Sequence, residues 1–286
     1  MNKRSLYAVA ATAGLVLSLA ACGSDDGGDT GGDDTGGEGN GADAASLDLV
    51  TEGTLTVCSD VPYPPFEDFD ESAPSGFVGF DIDIVSSVAD GLGLDLVVKD
   101  SSFDGLQSGL SLNAGECDLA ASAMTITEDR AQNIDFSDGY YDSLQSLLVP
   151  TDSDIASIGD LAGTRVAVQQ GTTGEAYAQE NAEGAELVAF PSNAEIYQAL
   201  LAGQVDAALQ DLPVNVDNAK RGDFTIVEEY DTDETYGLAI KKGNTALVDA
   251  VNEQLTELRD SGEYDELYAK YFSEDGSADD AESTSR

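Results

Sequence analysis

The amino-acid sequence predicts an α/β protein built from two similar lobes. Strand, helix, strand, helix and strand follow one another in the first half of the folded chain, and the same order recurs in the second half. Such alternation is typical of parallel strands joined by crossover helices. A short repeat supports the duplication, since A-G-x-x-D leads into an apolar strand at residues 114–122 and again at 202–210.

The N-terminus has the pattern of an export signal. A short basic head precedes an apolar run at residues 6–21, which is too short for a stable spanning helix. The run ends in L-A-A-C, which resembles a bacterial lipobox, so we expect residues 1–21 to be removed and Cys22 to carry the lipid. An ordinary signal peptide with a chance cysteine is the alternative. A lipid-anchored protein on the extracytoplasmic face of the bacterial membrane follows from the lipobox interpretation.

Two segments have compositions that cannot bury a core. Residues 22–46 are almost entirely small or acidic, and residues 274–286 are similar, so both are predicted to be flexible. The acidic residues of the first segment lack the ligand spacing of an EF-hand calcium loop.

Charge and residue types exclude several functions. The chain has 56 acidic residues against 12 basic ones and no histidine. Nucleic acid is disfavoured as a partner because its phosphates would be repelled. Without histidine, and without a P-loop, a G-x-S-x-G or a Rossmann glycine motif, the sequence predicts no metal, no cofactor and no enzymatic activity.

The first lobe opens with the predicted strand at residues 55–58. Asp81 is the expected N-cap of the helix that follows, and residues 94–98 form the next strand. A second helix is expected to open at Phe103, with Leu106 and Leu110 one turn apart on the same face. Residues 118–123 are the third predicted strand.

The second lobe repeats this order. Its predicted strands lie at residues 165–168, 187–190 and 205–209. A helix is expected to begin near Thr173, and Asn193 is the expected cap of the next one. Loops at residues 59–66, 123–130, 169–174 and 210–213 follow strand ends, two in each lobe. Since ligands bind beyond the carboxyl ends of parallel strands, these loops predict a cleft between the lobes.

Arg130 and Asp211 are the main candidates for ligand contacts. Arg130 follows a predicted strand, and Thr127 is the expected cap of a helix whose first turn contains it. A cation there opposes the helix dipole, so a bound carboxylate is a better reason for its position. Asp211 follows a strand of the other lobe and would pair with an ammonium group. Ordinary surface charges are the alternative for both.

Two aromatic residues and two cysteines allow more than one interpretation. Tyr63 and Phe103 are predicted to enclose the apolar part of a ligand, although a quaternary-ammonium cage and ordinary core packing also fit them. Export permits a disulfide between Cys58 and Cys117, and two buried thiols are the alternative.

Several segments occur in the order found in the family 3 amino-acid-binding proteins of ABC importers: YPPFEDF, GFDIDI, FDGL, SAMTITEDR, IDFSDGYY, QQGTTGEAYA and QDLPV. The chain resembles this family from about residue 53 to residue 272. The resemblance implies a type II periplasmic-binding-protein fold, in which two α/β lobes on a two-strand hinge close on an L-amino acid. Lobe 1 would comprise residues 47–143 and 236–273, and lobe 2 would comprise residues 144–235. The hinge strands would lie near residues 144–149 and 236–240.

The resemblance also implies which residues bind the ligand. They are Asp60, Tyr63, Phe103, Ala123, Met124, Thr125, Arg130, Gln169, Thr172, Thr173 and Asp211. Arg130 and Thr125 look like the clamp for the α-carboxylate, and the backbone near Thr172 and Thr173 would add hydrogen bonds to it. Asp211 looks like the partner of the α-ammonium group.

The remaining positions concern specificity. Asp60 lies where the family often contacts the ligand side chain, and the two aromatic residues look like stacking walls. Ala123 and Met124 occupy positions that vary with the ligand. Because Asp60 and Gln169, and no lysine or arginine, stand at the side-chain positions, we expect a polar or basic side chain such as that of glutamine, arginine, lysine or histidine.

The partner expected from the resemblance is an ABC permease with a cytoplasmic ATPase, on which the protein would dock as a monomer. Two alternatives remain. One is a lipoprotein receptor that senses the ligand. The other is an enzyme similar to cyclohexadienyl dehydratases, in which Asp60 or Asp211 would be the acid or base. The lipid tether and the arginine clamp favour capture.

Overall fold

The structure is a computed structural model that describes residues 47–273. Its strands are β1 Thr54–Ser59, β2 Asp68–Phe69, β3 Phe77–Val78, β4 Asp95–Asp100, β5 Leu119–Ala120, β6 Ile134–Phe136, β7 Tyr141–Pro150, β8 Arg165–Gln169, β9 Glu186–Phe190, β10 Ala207–Asp211, β11 Phe224–Tyr236 and β12 Ala239–Lys241. Its α-helices are α1 Phe80–Gly91, α2 Phe103–Gln107, α3 Leu110–Asn113, α4 Thr173–Asn181, α5 Asn193–Leu201, α6 Leu212–Arg221, α7 Thr245–Ser261 and α8 Glu263–Phe272. None of these helices is both long enough and apolar enough to cross a membrane. The predicted signal sequence, Cys22 and both predicted flexible segments lie outside the described residues.

The first sheet forms because its short apolar strands point alternate side chains into two layers of helices. Its strand order is β4-β1-β5-β12-β6. β1 is parallel to β4 and β5, whereas β12 is antiparallel to its neighbours. Leu55 and Val57 of β1 pack against α1 and α7, and Cys58 faces α2 and α3 on the opposite side. The predicted strands at residues 55–58 and 94–98 are confirmed.

The second sheet is built by the same rule. Its strand order is β11-β7-β10-β8-β9, with β8 parallel to β9 and β10, and β7 antiparallel to β10 and β11. Val166 and Val168 of β8 lie in one core layer with Ala178 of α4, and Ala167 lies in the other layer with Ile196 of α5. The three strands predicted for this half correspond to β8, β9 and β10.

The chain passes between the two sheets twice. Residues 137–140 join β6 of the first sheet to β7 of the second, and residues 237–238 join β11 to β12 on the return. The return falls within residues 236–240, where a hinge strand was expected, and the hinge itself stays a prediction. The first passage comes before the predicted residues 144–149, because β7 already pairs with β11 from its first residue.

Aromatic side chains pack around this passage. Tyr141 and Tyr236, which are paired across β7 and β11, stack with ring centroids 5.5 Å apart. Phe66 lies 5.3 Å from the Tyr236 ring, and Phe272 at the end of α8 lies 4.8 Å from the Tyr141 ring. The loop after β1 and the C-terminal helix therefore pack against the first residue of β7 and the last residue of β11, next to both passages.

The predicted N-cap at Asp81 is not formed. Helix α1 begins after Gly79, and Asp81 lies fully buried within its first turn. The Asp81 carboxylate instead accepts hydrogen bonds from the Ala123 N–H at 2.8 Å and the Tyr140 hydroxyl at 2.7 Å. The Asp81 side chain is thus bonded to Ala123 and Tyr140 and does not cap the helix.

Two further local predictions were wrong. The cap of α5 is Ser192, and Asn193 is the first residue of the helix, where its side chain bonds to Gln210 at 3.1 Å. The helix expected to carry Leu106 and Leu110 on one face is divided by Gly109, which has a φ of 76°. Leu110 therefore begins a new helix and is 69% exposed.

Cys58 and Cys117 form a disulfide whose Cα atoms are 5.8 Å apart. Cys58 lies in β1, and Cys117 lies two residues before β5, the strand that pairs with β1. The sequence left this bond open because the sheet order that makes these segments neighbours cannot be read from the chain.

Candidate functional site

Loops from both sheets meet at one cleft. The lining residues are Asp60, Tyr63, Phe103, Ser122, Ala123, Thr125, Arg130, Gln169, Thr172, Thr173 and Asp211. Every predicted ligand-binding residue except Met124 lines this cleft, and Ser122 is an addition. All four loops predicted to reach the cleft contribute to it.

Met124 does not face the cleft. Ala123 has a φ of 44°, a left-handed conformation that redirects the chain at the end of β5. The Met124 side chain is 0% exposed and packs in the core with Cys58, Leu112 and Ile134. The expectation that it varies with the ligand as a contact residue does not fit this position.

Arg130 is a buried cation that reaches across the cleft. The Thr127 hydroxyl accepts a hydrogen bond from the Arg130 N–H at 3.2 Å, and Arg130 opens a three-residue 3-10 helix whose N-cap is Asp129 rather than the predicted Thr127. Its guanidinium donates to the Thr125 carbonyl at 2.7 Å and, from the other sheet, to the Gly171 carbonyl at 3.0 Å. The guanidinium also lies 5.2 Å from the centroid of the Phe103 ring. A helix this short has little dipole, so the argument from an opposed helix dipole does not apply.

Burial gives the stronger reason to expect an anion at Arg130. The residue is 6% exposed, and burial lowers the pKa of its guanidinium, although nearby Asp211 and Glu234 oppose this effect. Within residues 47–273 it forms no ion pair with a carboxylate. A buried charge without a partner is costly. A carboxylate brought by a ligand would supply that partner and fit the guanidinium fork.

Asp211 lies at the end of β10, deep in the same cleft. Its Oδ2 accepts hydrogen bonds from the Tyr63 hydroxyl of the first lobe at 2.8 Å and from the Tyr236 hydroxyl at 2.7 Å. The Gln145 amide donates to its Oδ1. Burial, and then the charge of Glu234, raise the pKa of Asp211 to about 6. A carboxylate has about four acceptor sites, so one remains for an additional donor such as an ammonium group.

Asp60 and Gln169 form a second polar pair across the cleft. The Gln169 amide donates to the Asp60 carboxylate at 2.6 Å, and its own Oε1 is buried without a hydrogen-bond partner in the described part of the chain. Burial raises the pKa of Asp60 to about 6, and nearby Asp100 adds to this effect. The Gln169 amide oxygen and the Asp60 carboxylate are therefore both available as hydrogen-bond acceptors for a polar ligand side chain.

Ser122, which the sequence did not indicate, supports the Asp60 loop. Its hydroxyl accepts from the Asp60 N–H at 3.0 Å and donates to the Glu67 carboxylate at 2.7 Å. Glu67 is fully buried, and burial together with the neighbouring Asp81 charge raises its pKa well above the usual range. The Asp60 loop is thus fixed through Ser122 to the buried Glu67 carboxylate.

Thr172 caps helix α4 rather than offering its hydroxyl to the cleft. Its Oγ1 accepts from the Glu175 N–H at 3.1 Å and donates to the Gln169 carbonyl at 2.8 Å. The first N–H groups of a helix have no intrahelical partner. The Thr173 N–H is one of these groups and could bind an anion, whereas the Thr172 N–H already donates to the Gln169 carbonyl at 3.4 Å.

Glu234 is the second residue that sequence reasoning missed. It is 6% exposed, and its carboxylate accepts hydrogen bonds from Thr125 and Thr173, both at 2.6 Å. Counting back from Tyr236 with the period of two expected in a strand places Glu234 on the buried face. Its neighbours are polar or acidic, so apolar contrast did not reveal this face.

Comparisons with known proteins show the family of the chain. The model of the bacterial extracellular solute-binding proteins, family 3, matches residues 55–274. A probable histidine-binding protein of Neisseria gonorrhoeae is 32% identical over 96% of this chain and 98% of its own length. The lysine/arginine/ornithine-binding periplasmic protein of Escherichia coli K12 is 35% identical, over 80% of this chain and 91% of its own length.

A solved structure of an ancestral arginine-binding protein bound to glutamine is also similar. It has a TM-score of 0.74 and 37% sequence identity, and the match covers 78% of this chain and all of that one. The fold, the family match and these relatives agree. The chain belongs to the bacterial extracellular solute-binding proteins, family 3.

Proposed function

We propose that the protein captures an L-amino acid in the cleft between its lobes and delivers it to an ABC permease. The observation that carries this proposal is the buried Arg130, whose guanidinium lacks a carboxylate partner within residues 47–273 and faces the same cleft as Asp211. Together they match the α-carboxylate and the α-ammonium group of a zwitterion. Tyr63 and Phe103 line the same cleft and would contact the stem of the ligand.

The ligand side chain is proposed to be polar or basic. Asp60 and Gln169 lie where it would reach, and Arg130 is the one cation among the residues that line the cleft. A second acidic group on the ligand would meet Asp60 without a basic partner. Relatives named for binding histidine or lysine, arginine and ornithine support this choice.

Closure is proposed to be a hinge motion. Lobe 1 (residues 47–143 and 236–273) and lobe 2 (residues 144–235) would move about the two passages between the sheets. Contacts from both lobes to one ligand would stabilise the closed form, because a ligand shifts such an equilibrium only through its differential affinity.

Anchoring and partners complete the proposal. The L-A-A-C sequence supports lipidation at Cys22, which would tether the protein to the extracytoplasmic face of the membrane. We expect the tethered protein to act as a monomer. It would present the closed form to a permease driven by a cytoplasmic ATPase, and it would catalyse no reaction itself. Unchanged prephenate after incubation with the protein would distinguish capture from a dehydratase.

The test is a thermal-shift screen against the twenty amino acids. A ligand at 100 times its Kd adds about 2.7 kcal/mol, which raises Tm by roughly 5–10 °C for a chain of this size. We expect this shift with one or a few polar or basic L-amino acids, its loss in Arg130→Ala, and its retention in Arg165→Ala, where the arginine forms a half-exposed ion pair with Asp206. A wild-type protein that responds to none of the twenty would contradict the proposal.

A further inference from the structure

Glu234 lies next to the cleft and binds two of its lining residues, Thr125 and Thr173, without belonging to the predicted set of ligand contacts. It lies on β11, two residues before Tyr236, whose hydroxyl donates to Asp211. Its side chain is buried, and the register between β11 and β7 shifts between Tyr230 and Glu234. Glu234 thus lies in β11 just after a register shift and just before the passage at residues 237–238.

The Glu234 carboxylate collects donors from both sheets. Its Oε2 accepts from Thr125 of the first sheet's loop and from Thr173 at the start of α4, both at 2.6 Å. Its Oε1 accepts from the Gln145 amide at 3.1 Å and from Thr232 at 2.8 Å. A single side chain thus fixes two hydroxyls that reach the cleft from opposite lobes.

The same amide connects Glu234 to Asp211. Gln145 Nε2 donates to both carboxylates, so the position of one depends on the position of the other. Gly174 makes room for this arrangement, because a Cβ there would lie 2.8 Å from Gln145 Oε1 and 3.3 Å from the Leu209 carbonyl. Gln145 is therefore closely packed against Gly174 while it bonds to both carboxylates.

The Glu234 and Asp211 carboxylates together favour the binding of a cationic group from a ligand. Within the described chain, neither Glu234 nor Asp211 forms an ion pair with a lysine or arginine. Two buried carboxylates that share one amide donor repel each other. A ligand ammonium group would relieve this repulsion.

We propose that Glu234 is a positioning residue of the ligand site. It fixes the Thr125 and Thr173 side chains by accepting the single proton of each hydroxyl. Through Gln145 it orients Asp211, and its charge strengthens the attraction for the α-ammonium group. This inference rests on the proposed function.

The test compares Glu234→Gln with Glu229→Gln, an exposed glutamate of the same strand. L-Arginine and L-glutamine are the probes, since neither changes its own charge between pH 4.5 and pH 8. Affinity is measured by calorimetry across that range on the full protein. Glu234→Gln preserves the shape of the side chain, and circular dichroism checks that each variant folds.

The expected result has two parts. At pH 7.5, Glu234→Gln weakens binding about tenfold, or about 1.4 kcal/mol, whereas Glu229→Gln binds like the wild type. In the wild type, affinity falls as the pH drops through the pKa of Asp211, near 6. In Glu234→Gln that fall moves to lower pH, because a like charge next to Asp211 has been removed.

The shift of the pH midpoint in Glu234→Gln, rather than the midpoint itself, distinguishes Asp211 from Asp60. The titratable groups near Asp211 are Tyr63 and Glu67 on the loop after β1, Tyr141 on β7, Tyr236 and Glu234 on β11, and Arg130. Asp60 also has a pKa raised to about 6, chiefly by burial, but Glu234 is not among the causes of that shift.

Each outcome has a distinct meaning. A lower affinity with an unchanged pH midpoint would reduce Glu234 to a structural role and overturn the inference. Equal affinity of Glu234→Gln and the wild type would overturn it as well, while leaving amino-acid capture intact. A wild-type protein that binds no amino acid would overturn the proposed function and this inference together.

Discussion

Replacing Arg130 by alanine is expected to abolish tight ligand binding while leaving the unliganded protein folded. The guanidinium is 6% exposed and has two carbonyl partners but, among the described residues, no carboxylate partner. Each hydrogen bond between charged groups contributes about 1.5–3 kcal/mol, and a guanidinium fork makes two of them. The loss in binding free energy is therefore about 3–6 kcal/mol, or roughly a hundredfold to over ten-thousandfold in Kd.

Stability should respond differently from affinity. Alanine loses two hydrogen bonds to the Thr125 and Gly171 carbonyls but also removes a buried charge, so the two effects offset each other. We expect the free energy of unfolding of the unliganded protein to change by less than about 2 kcal/mol. Arg130→Lys keeps the charge without the planar fork and should bind with intermediate affinity.

Calorimetry of Arg130→Ala, Arg130→Lys and the control Arg165→Ala, with urea unfolding of each, separates the two effects. Arg165 is partly exposed and pairs with Asp206, so its loss should leave Kd unchanged. Arg130→Ala binding as tightly as Arg165→Ala would refute the role of Arg130 as the carboxylate clamp. An Arg130→Ala protein that does not fold would contradict the argument about stability.

Three further predictions concern pH, the disulfide and the cross-cleft hydroxyl. Burial is the main cause that raises the pKa of Asp60 and Asp211 to about 6 and of Asp81 to about 7, so the folded state binds protons more tightly than the unfolded state. The stabilising contribution of these carboxyl groups is fully present below about pH 4 and is lost as the pH rises through 6 to 7. Tm of the unliganded protein should therefore rise when the pH is lowered from 8 to 5. A Tm that falls over this range would contradict the assignment. Replacing Cys58 and Cys117 by serine should cost about 2–4 kcal/mol in urea unfolding, because the bond closes a loop with a sequence separation of 59, and unchanged stability would show that the bond does not form in the protein. Tyr63→Phe should raise Kd about tenfold, because a hydroxyl that donates to a charged acceptor contributes about 1.5 kcal/mol. The control Tyr177→Phe should leave Kd unchanged, and equal Kd values for the two variants would exclude a role for the Tyr63 hydroxyl.

Most of the cleft could be predicted because it depends on strand ends. Short apolar runs followed by Asp60, Arg130, Gln169 and Asp211 mark carboxyl ends of parallel strands, and such ends share an edge of a sheet. The resemblance then distinguished Arg130 and Asp211 from the many other charges of an acidic chain. Strand periodicity and motif order were sufficient for these residues.

The rest depends on local backbone geometry and on contacts distant in sequence. Gly109 divides a helix that looks continuous, and the left-handed Ala123 turns Met124 into the core. Glu234 meets Thr125 only at the end of the second lobe, just before the chain returns to the first. Such contacts are set by sheet order and register, which a single sequence does not specify.

The most direct test of the central claim is a crystal structure of the protein with the amino acid that the thermal screen selects. The account predicts an α-carboxylate oxygen within about 3 Å of the Arg130 guanidinium and the α-ammonium group hydrogen-bonded to Asp211. The ligand side chain should point toward Asp60 and Gln169. A ligand bound outside this cleft, or one whose carboxylate lies away from Arg130, would contradict the account.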